Sequence, residues 1–180
     1  MRIITGEYKG RRLESPGSYD IRPTSDKVKE AMFSIISYDI EGAVCADLFS
    51  GTGNLGLEAL SRGAGRCYFC DNSREALGII KRNIASCKAA DRSVVMAGDF
   101  RKCIEKIKEK ADIVFMDPPY ESGFYEDAFE TISRSGLLDA DGMIIAEHRK
   151  DLELPEKISG FEKIKERRYG HILLSIYSHL

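Results

Sequence analysis

Four consecutive residues, Asp117, Pro118, Pro119 and Tyr120, carry the most specific chemistry in this sequence. They follow the apolar segment 113–116, whose β-branched and aromatic residues predict a buried strand. Ligands of open α/β sheets bind at the carboxyl ends of strands. Two prolines keep the backbone extended, so the Pro118 carbonyl can accept a hydrogen bond. A carboxylate, a carbonyl and a ring together suit a flat molecule with an exocyclic amine, and a nucleobase fits that description.

A glycine-rich segment follows an earlier predicted strand. Gly51, Gly53 and Gly56 fit the pattern G-x-G-x-x-G between a strand and a helix, and Asp71 follows twenty residues after Gly51. In dinucleotide-binding folds such a loop approaches the cofactor, and the acid at the end of the next strand binds the ribose hydroxyls. The sequence therefore predicts a nucleotide-like cofactor.

Asp47, four residues before the first glycine, favours S-adenosylmethionine over NAD as that cofactor. A diphosphate binds the N–H groups of a helix N-terminus, and a nearby carboxylate would repel it. S-adenosylmethionine has no phosphate and carries a cationic ammonium and a cationic sulfonium. A helix cap or a structural acid is the alternative role for Asp47.

Asp99 and Phe100 follow another predicted strand and form a further candidate contact. Asp99 can accept from an adenine amine, and Phe100 can lie against the ring. As a helix N-cap, however, Asp99 would need no ligand. Asp47, Asp71, Asp99 and Asp117 all end successive strands, so a parallel sheet would bring the four acids to one rim.

Alternating strands and helices must position these residues. Apolar patterns predict strands at 43–49, 67–70, 93–97, 111–116 and 143–146, separated by helices at 55–62, 74–87, 100–108 and 125–135. Such βαβ units predict a parallel sheet. A further helix is expected from Thr24, and two short strands are expected within residues 1–15. Alternation around Gly170 predicts a closing antiparallel hairpin over 161–169 and 171–178.

Composition narrows the class of protein. The 180 residues are 43% apolar and 31% charged, which is typical of one soluble domain with a small appendage. No signal peptide or run of eighteen apolar residues is present, so neither secretion nor a membrane span is indicated. The five cysteines are expected to be buried free thiols in a reducing cytoplasm. Cys67 and Cys70 lie inside a predicted strand without a second zinc-spaced pair, which disfavours a metal or redox site.

Positive charge concentrates at the start of the chain. Residues 1–12 contain four basic residues and one acid, Glu7, and so carry a charge of +3; the basic residues are Arg2, Lys9, Arg11 and Arg12. Since the net charge of the chain is −2, the remaining residues carry −5. Such a basic lobe can hold phosphates, whereas a solvated charged edge is the alternative.

Over nearly its whole length the chain resembles the RsmD-type guanine-N2 methyltransferases of small-subunit ribosomal RNA. The most specific matching blocks are 2–13 and 22–33, and further blocks are 47–56, 56–64, 117–120 and 169–170. Two departures from the family are small. At position 71 the family more often has Glu, and the Asp of this chain is shorter, so it reaches less far toward the ribose. At position 29 the family favours Arg, whereas this chain has Lys.

The resemblance implies a Rossmann-like class I methyltransferase fold. This is a mostly parallel seven-stranded sheet with a C-terminal antiparallel hairpin and a small N-terminal β-hairpin and helix. We expect residues 1–40 to form that extension and residues 41–180 the methyltransferase domain. The implied donor is S-adenosylmethionine, and the implied acceptor is a guanine N2 amine in 16S ribosomal RNA, within the small subunit or its assembly intermediate in the cytoplasm.

The resemblance also implies roles for single residues. Gly51 and Gly53 would face the donor's backbone, Asp71 its ribose and Asp99 its adenine, while Asp117–Tyr120 would hold the target base. Asp47, Phe49, Phe100 and Asp117 complete the expected cofactor site, and no metal is expected. The residues expected to contact RNA are Arg2, Lys9, Arg11, Arg12 and Arg22.

Three other functions stay open at this point. A DNA adenine-N6 or cytosine-N4 methyltransferase shares the Asp-Pro-Pro-Tyr box but usually carries an added target-recognition domain. An NAD-dependent dehydrogenase is opposed by Asp47. A non-catalytic RNA-binding assembly factor would not require the intact glycines and strand-end acids. His148, His171 and His179 all lie in the C-terminal third and are expected to be structural or solvated.

Overall fold

The computed structural model describes residues 1–16, 25–119 and 123–180. Its strands are β1 Val44–Asp47, β2 Arg66–Asp71, β3 Ser93–Ala97, β4 Ala111–Met116, β5 Leu138–Arg149, β6 Lys157–Ile158, β7 Phe161–Tyr169 and β8 Ile172–His179. Its helices are α1 Asp26–Ile35, α2 Asn54–Ser61, α3 Arg74–Cys87, α4 Phe100–Lys106 and α5 Phe124–Ser135, with a 3₁₀ turn at Ala90–Arg92. None of the helices in these ranges is both long enough and apolar enough to span a bilayer.

The strands form one sheet in the order β3-β2-β1-β4-β5-β8-β7-β6. β1 to β5 pair in parallel, and β8 runs antiparallel to both β5 and β7. This confirms the predicted fold class, with the two-residue β6 added at the edge of the seven expected strands. β5 begins at Leu138, five residues before the predicted start at residue 143, because Leu138 already pairs with Ala111.

Helices cover both faces of the sheet. On one face α1, α2 and α3 enclose a core in which the rings of Phe33 and Phe115 lie 5.6 Å apart. On the other face α4 and α5 enclose a second core, where Phe129 and Tyr177 meet edge to face at 4.7 Å. Both faces of the central strands are therefore buried, as the continuous apolar runs require.

The N-terminal residues pack onto the first face. Their antiparallel pairing reduces to the single bridge between Arg2 and Arg12. Ile3, Tyr8 and Leu13 are buried in the core of that face. A functional division at residue 40 stays a prediction. The predicted helix from Thr24 begins at Asp26, because the Ser25 hydroxyl caps it by accepting the N–H of Val28 at 3.3 Å.

A buried ion pair fastens α1 to α2. The side chains of Lys29 and Glu58 are fully buried, and Lys29 Nζ lies 3.1 Å from Glu58 Oε2. The same ammonium donates to Asn54 Oδ1 at 2.7 Å and to the Arg2 carbonyl at 2.6 Å. Burial lowers the pKa of Lys29, and the Glu58 charge partly opposes that shift.

Glu58 extends this contact to the start of the chain. Its carboxylate accepts the N–H of Ile4 at 2.9 Å, the N–H of Thr5 at 3.0 Å and Arg62 Nε at 2.8 Å. Every charge in the cluster is thus paired or hydrogen bonded, which a buried charge requires to be tolerated.

We predict that Lys29→Met lowers the free energy of unfolding by about 3 kcal/mol, since it leaves a buried carboxylate short of a partner. Glu30→Gln is the matched control, because Glu30 pairs with Arg62 while half exposed and should cost less than about 1 kcal/mol. Urea unfolding of the three proteins measures both values. Equal losses of unfolding free energy in the two variants would contradict the expectation that breaking the buried ion pair costs more than breaking the half-exposed one.

Candidate active site

Three acids meet at one rim of the sheet. Asp47 is the last residue of β1 and Asp71 the last of β2, while Asp117 directly follows β4. β1 lies between β2 and β4, so the three strand ends are adjacent. Because of this adjacency, the charges of Asp117 and Asp71 both help to raise the pKa of Asp47. Asp99 lies one strand further along the same rim, after β3.

The glycine loop connects β1 to α2 at this rim. Gly51 and Gly53 have φ of 55° and 79°, a left-handed backbone that favours glycine. Gly56 serves packing instead. A Cβ there would stand 2.4 Å from the Phe69 ring and 2.6 Å from Cys67 Sγ, so its absence lets α2 lie close against β2.

Two backbone N–H groups of this loop and of the helix after it donate hydrogen bonds to carboxylates. Gly51 N–H donates to Asp71 Oδ2 at 2.9 Å, and Gly56 N–H, in the first turn of α2, donates to Asp47 Oδ2 at 3.1 Å. In a dinucleotide site such amides face a diphosphate. Here they already donate to acidic side chains, so the site suits a cofactor that is cationic and lacks phosphate. The residues present therefore fit S-adenosylmethionine.

The pKa of Asp47 is strongly shifted by its surroundings. The residue is only 2% exposed. Burial raises the pKa of Asp47 to about 7, the Gly56 hydrogen bond lowers it, and the charges of Asp117 and Asp71 raise it further. A cation bound near this carboxyl would stabilise its ionised form.

Asp71 is half-buried beside the loop. Besides holding Gly51, its second oxygen accepts the N–H of Ser73 at 2.8 Å. The carboxylate is therefore fixed in orientation at the end of β2. Its contact with a ribose stays a prediction.

Asp99 and Phe100 are engaged within the protein. Asp99 is the N-cap of α4: it accepts the N–H of Arg101 at 2.9 Å and pairs with the guanidinium of that residue at 2.8 Å. Phe100 is buried, and its ring lies 5.0 Å from Phe49 and 4.5 Å from the Arg101 guanidinium. The capping alternative thus describes Asp99 in this structure, and the adenine contacts of both residues stay predictions.

Phe124 was missed by the sequence interpretation. It begins α5, and its ring stacks parallel to Phe49 at 6.1 Å and lies 5.6 Å from Phe100. The three rings link the ends of β1 and β3 to the helix that follows the Asp-Pro-Pro-Tyr box. An aromatic residue at the first helical position after that box was the available signal.

The box itself follows β4 directly. Asp117 is half-buried, Pro118 is buried and Pro119 is exposed. Tyr120 lies outside the described residues. Asp117 and Pro118 therefore lie at the same rim as Asp47 and Asp71, as strand order predicted, and their contacts with a target base stay predictions.

The predicted RNA-contact residues differ in their distance from the rim. The Arg2 carbonyl and the Asn54 side chain accept from the same Lys29 ammonium, so Arg2 lies near the glycine loop. Arg11 donates to the Ser86 carbonyl in the last turn of α3 at 2.5 Å. That turn is about 18 Å along the helix axis from the rim end of α3. Arg2 pairs with Asp26 at 3.2 Å. Lys9 and Arg12 are exposed. Arg22 lies outside the described residues, and the RNA contacts of the whole set stay predictions.

The remaining candidates are structural. All five cysteines are buried and free, as predicted, and Cys67 and Cys70 lie within β2. His148 is fully buried, with Nε2 2.8 Å from Ser175 Oγ and Nδ1 2.9 Å from the Leu152 carbonyl.

Known proteins share this architecture and sequence. The family model described as Conserved hypothetical protein 95 matches residues 1–178. The chain is 34% identical to the putative rRNA methyltransferase YlbH of Bacillus subtilis, with 98% of both chains covered. The chain belongs to the RsmD family.

A second relative and a solved structure agree with this assignment. Ribosomal RNA small subunit methyltransferase D of Escherichia coli is 32% identical over 98% of this chain and 89% of its own length. The structure of the putative methyltransferase yhhF from Escherichia coli superposes with a TM-score of 0.89 at 30% identity, covering 99% of this chain and 97% of that one. As an RsmD family member, the chain uses S-adenosylmethionine as its cofactor.

The raised pKa of Asp47 predicts a pH-dependent stability. Between pH 3.8 and about pH 7 the Asp47 carboxyl is protonated in the folded chain but ionised in the unfolded chain, where its pKa is the ordinary 3.8. The stabilisation from this proton is present at low pH and is lost as pH rises through about 7. The side chain that Asp47→Asn introduces stays neutral. We therefore expect the free energy of unfolding of the variant, relative to that of the unsubstituted protein, to rise by on the order of 1 kcal/mol from pH 6 to pH 8.

Urea unfolding at the two pH values measures this difference. Asp112→Asn is the control, because Asp112 also accepts a backbone N–H, from Val44 at 2.8 Å, at the opposite end of the strands. An Asp47→Asn difference that is the same at pH 6 and pH 8 would show that the buried carboxyl is already ionised at pH 6.

Proposed function

We propose that this chain transfers a methyl group from S-adenosylmethionine to the exocyclic N2 amine of a guanine in small-subunit ribosomal RNA. The observation that carries the proposal is that Asp117 and Pro118 directly follow β4, at the rim where Asp71 and Asp47 accept the N–H groups of the glycine loop and of the first turn of α2. The names of the two relatives support ribosomal RNA as the substrate. The guanine amine is inferred from the box and from the RsmD resemblance.

The box solves a chemical difficulty. The guanine amine is a poor nucleophile because its lone pair is delocalised into the ring. Asp117 and the Pro118 carbonyl accept its two N–H bonds and draw the nitrogen toward tetrahedral geometry, which frees the lone pair. The cofactor supplies, when bound, an electrophilic methyl group on a sulfonium.

Positioning and charge stabilisation account for the catalysis. Positive charge develops on the amine nitrogen as its bond to the methyl carbon forms and the methyl–sulfur bond breaks, and the Asp117 carboxylate stabilises that charge. The nitrogen then loses one of its two protons, so no histidine base is needed. Tyr120 is proposed to stack on a base extruded from its helix or loop.

We predict that Asp117→Ala lowers the rate of methyl transfer by about 10³-fold, since it removes a group that acts on developing charge. Cofactor affinity, measured by isothermal titration, should fall less in this variant than in Asp71→Ala, which removes the carboxylate that holds Gly51. Asp112→Ala removes a carboxylate from the other end of β4 and should leave the rate unchanged. Near-normal turnover by Asp117→Ala would remove the proposed role.

The identity of the target amine needs its own experiment. Labelled donor is offered with deproteinised 16S RNA, with small subunits from cells that lack this protein, and with duplex DNA, and the products are digested to nucleosides for mass spectrometry. We expect N2-methylguanosine from an RNA substrate. Label in adenine or cytosine of DNA would favour the rival DNA methyltransferase, and no label from any substrate would favour the assembly factor.

A further inference from the structure

We propose that the end of the β7–β8 hairpin binds phosphates of the substrate RNA through Lys150, Arg167 and Arg168, here called the hairpin-end surface. The inference rests on the proposed function and adds a docking surface to it. The sequence interpretation assigned no RNA contact to this part of the chain.

Strand register places this surface level with the base-binding box. One row across the sheet runs through Met116, Ala146, Ser175 and Glu166. β7 runs in the same direction as β4, so the next row contains Asp117 and Arg167, and the one after it Pro118 and Arg168. Three strand spacings separate the two ends of a row, about 14 Å. A few nucleotides of extended RNA bridge that distance.

The arginines of this surface donate to backbone carbonyls rather than to carboxylates. Arg167 donates to the Glu166 carbonyl at 2.9 Å, and Arg168 donates to the Gly170 carbonyl at 3.0 Å. The Lys150 N–H donates to the His171 carbonyl at 3.0 Å, which places Lys150 beside the turn. All three side chains are exposed, and within the described ranges no carboxylate forms an ion pair with them.

Nearby cations are arranged differently. Arg149 pairs with Asp151 at 2.8 Å, and Lys163 pairs with Glu166 at 2.9 Å. Arg167 and Arg168 differ from these two cations in forming no ion pair among the described residues. Guanidinium groups that keep their donors available are well suited to phosphate oxygens.

The rim along β1 to β4 carries acids that repel a polyanion. Asp47, Asp71, Asp99 and Asp117 make it acidic, and Arg101 is already paired with Asp99 and Asp127. The basic N-terminal turn with Arg11 lies toward the opposite end of α3. RNA that delivers a base to Asp117 therefore meets available positive charge at the hairpin end.

The two arginines also have a geometry suited to a passing strand. Successive residues of a strand point to opposite faces of the sheet. Arg167 pairs with Leu174, which belongs to the core of the α1 face, so Arg168 points to the α5 face. Together they straddle the edge of the sheet and can hold two phosphates of a backbone that crosses it.

Edge protection is the competing explanation for these charges. β6 covers β7 only at Phe161 and Glu162, and charged residues on an exposed edge strand prevent pairing between copies. That requirement is met equally by either sign of charge. A variant with reversed charge therefore separates the two explanations.

The experiment compares Lys150→Gln/Arg167→Gln/Arg168→Gln with the reversal Arg167→Glu/Arg168→Glu. The control Lys81→Gln/Lys106→Gln/Lys108→Gln removes three exposed charges away from the hairpin. Binding of deproteinised 16S RNA is measured by fluorescence anisotropy across a salt series. Losing three phosphate contacts should flatten the slope of log K against log salt by about 2. We expect at least tenfold weaker binding at low salt, unchanged cofactor affinity and no change in the control.

Each outcome bears on the proposal. Weaker RNA binding by the reversal variant, while sedimentation shows it monomeric, supports the hairpin-end surface. Wild-type affinity and salt slope in that variant overturn the surface, and self-association of the glutamine variant with normal RNA binding assigns the charges to edge protection. As a first step, the unsubstituted protein must be shown to methylate ribosomal RNA. A failure at that stage removes the proposed function instead.

Discussion

Two hydrogen bonds from the glycine loop to strand-end carboxylates are the constraint on which the site depends. Asp71 holds Gly51, and Asp47 holds Gly56. Because both acids belong to the sheet, the loop is positioned by the protein rather than by its ligand. The same bonds place negative charge where a dinucleotide-binding loop presents peptide N–H groups. The preference for a cationic methyl donor thus follows from how the backbone is held.

The buried pair of Lys29 and Glu58 connects this site to the start of the chain. Lys29 contacts Asn54, the first residue of α2 after the glycine loop, while Glu58 binds the amides of Ile4 and Thr5. A buried ion pair contributes little net stability against apolar replacements, but it tolerates only one arrangement of its partners. The N-terminal segment and the loop helix are therefore held in a fixed relation.

The rim has an acidic part and a basic part, and we infer that they bind different ligands. The acids at the ends of β1, β2 and β4 suit a cationic cofactor, whereas the hairpin-end surface suits an anionic backbone. About three strand spacings lie between them, more than the ~8 Å Debye length at physiological ionic strength. Each field can act on its own ligand without cancelling the other. The target base would cross from the basic end toward Asp117.

The amino-acid sequence by itself determined the alternating elements, the glycine loop, the strand-end acids and the box, because hydrophobic period, glycine spacing and proline are local properties. It did not determine that β5 starts at Leu138, that Asp47 is buried, or that Lys29 pairs with Glu58. Nor did it place Arg167 level with Asp117. These features depend on pairings between residues distant in sequence, and only the packed sheet fixes the register and the dielectric surroundings that decide them.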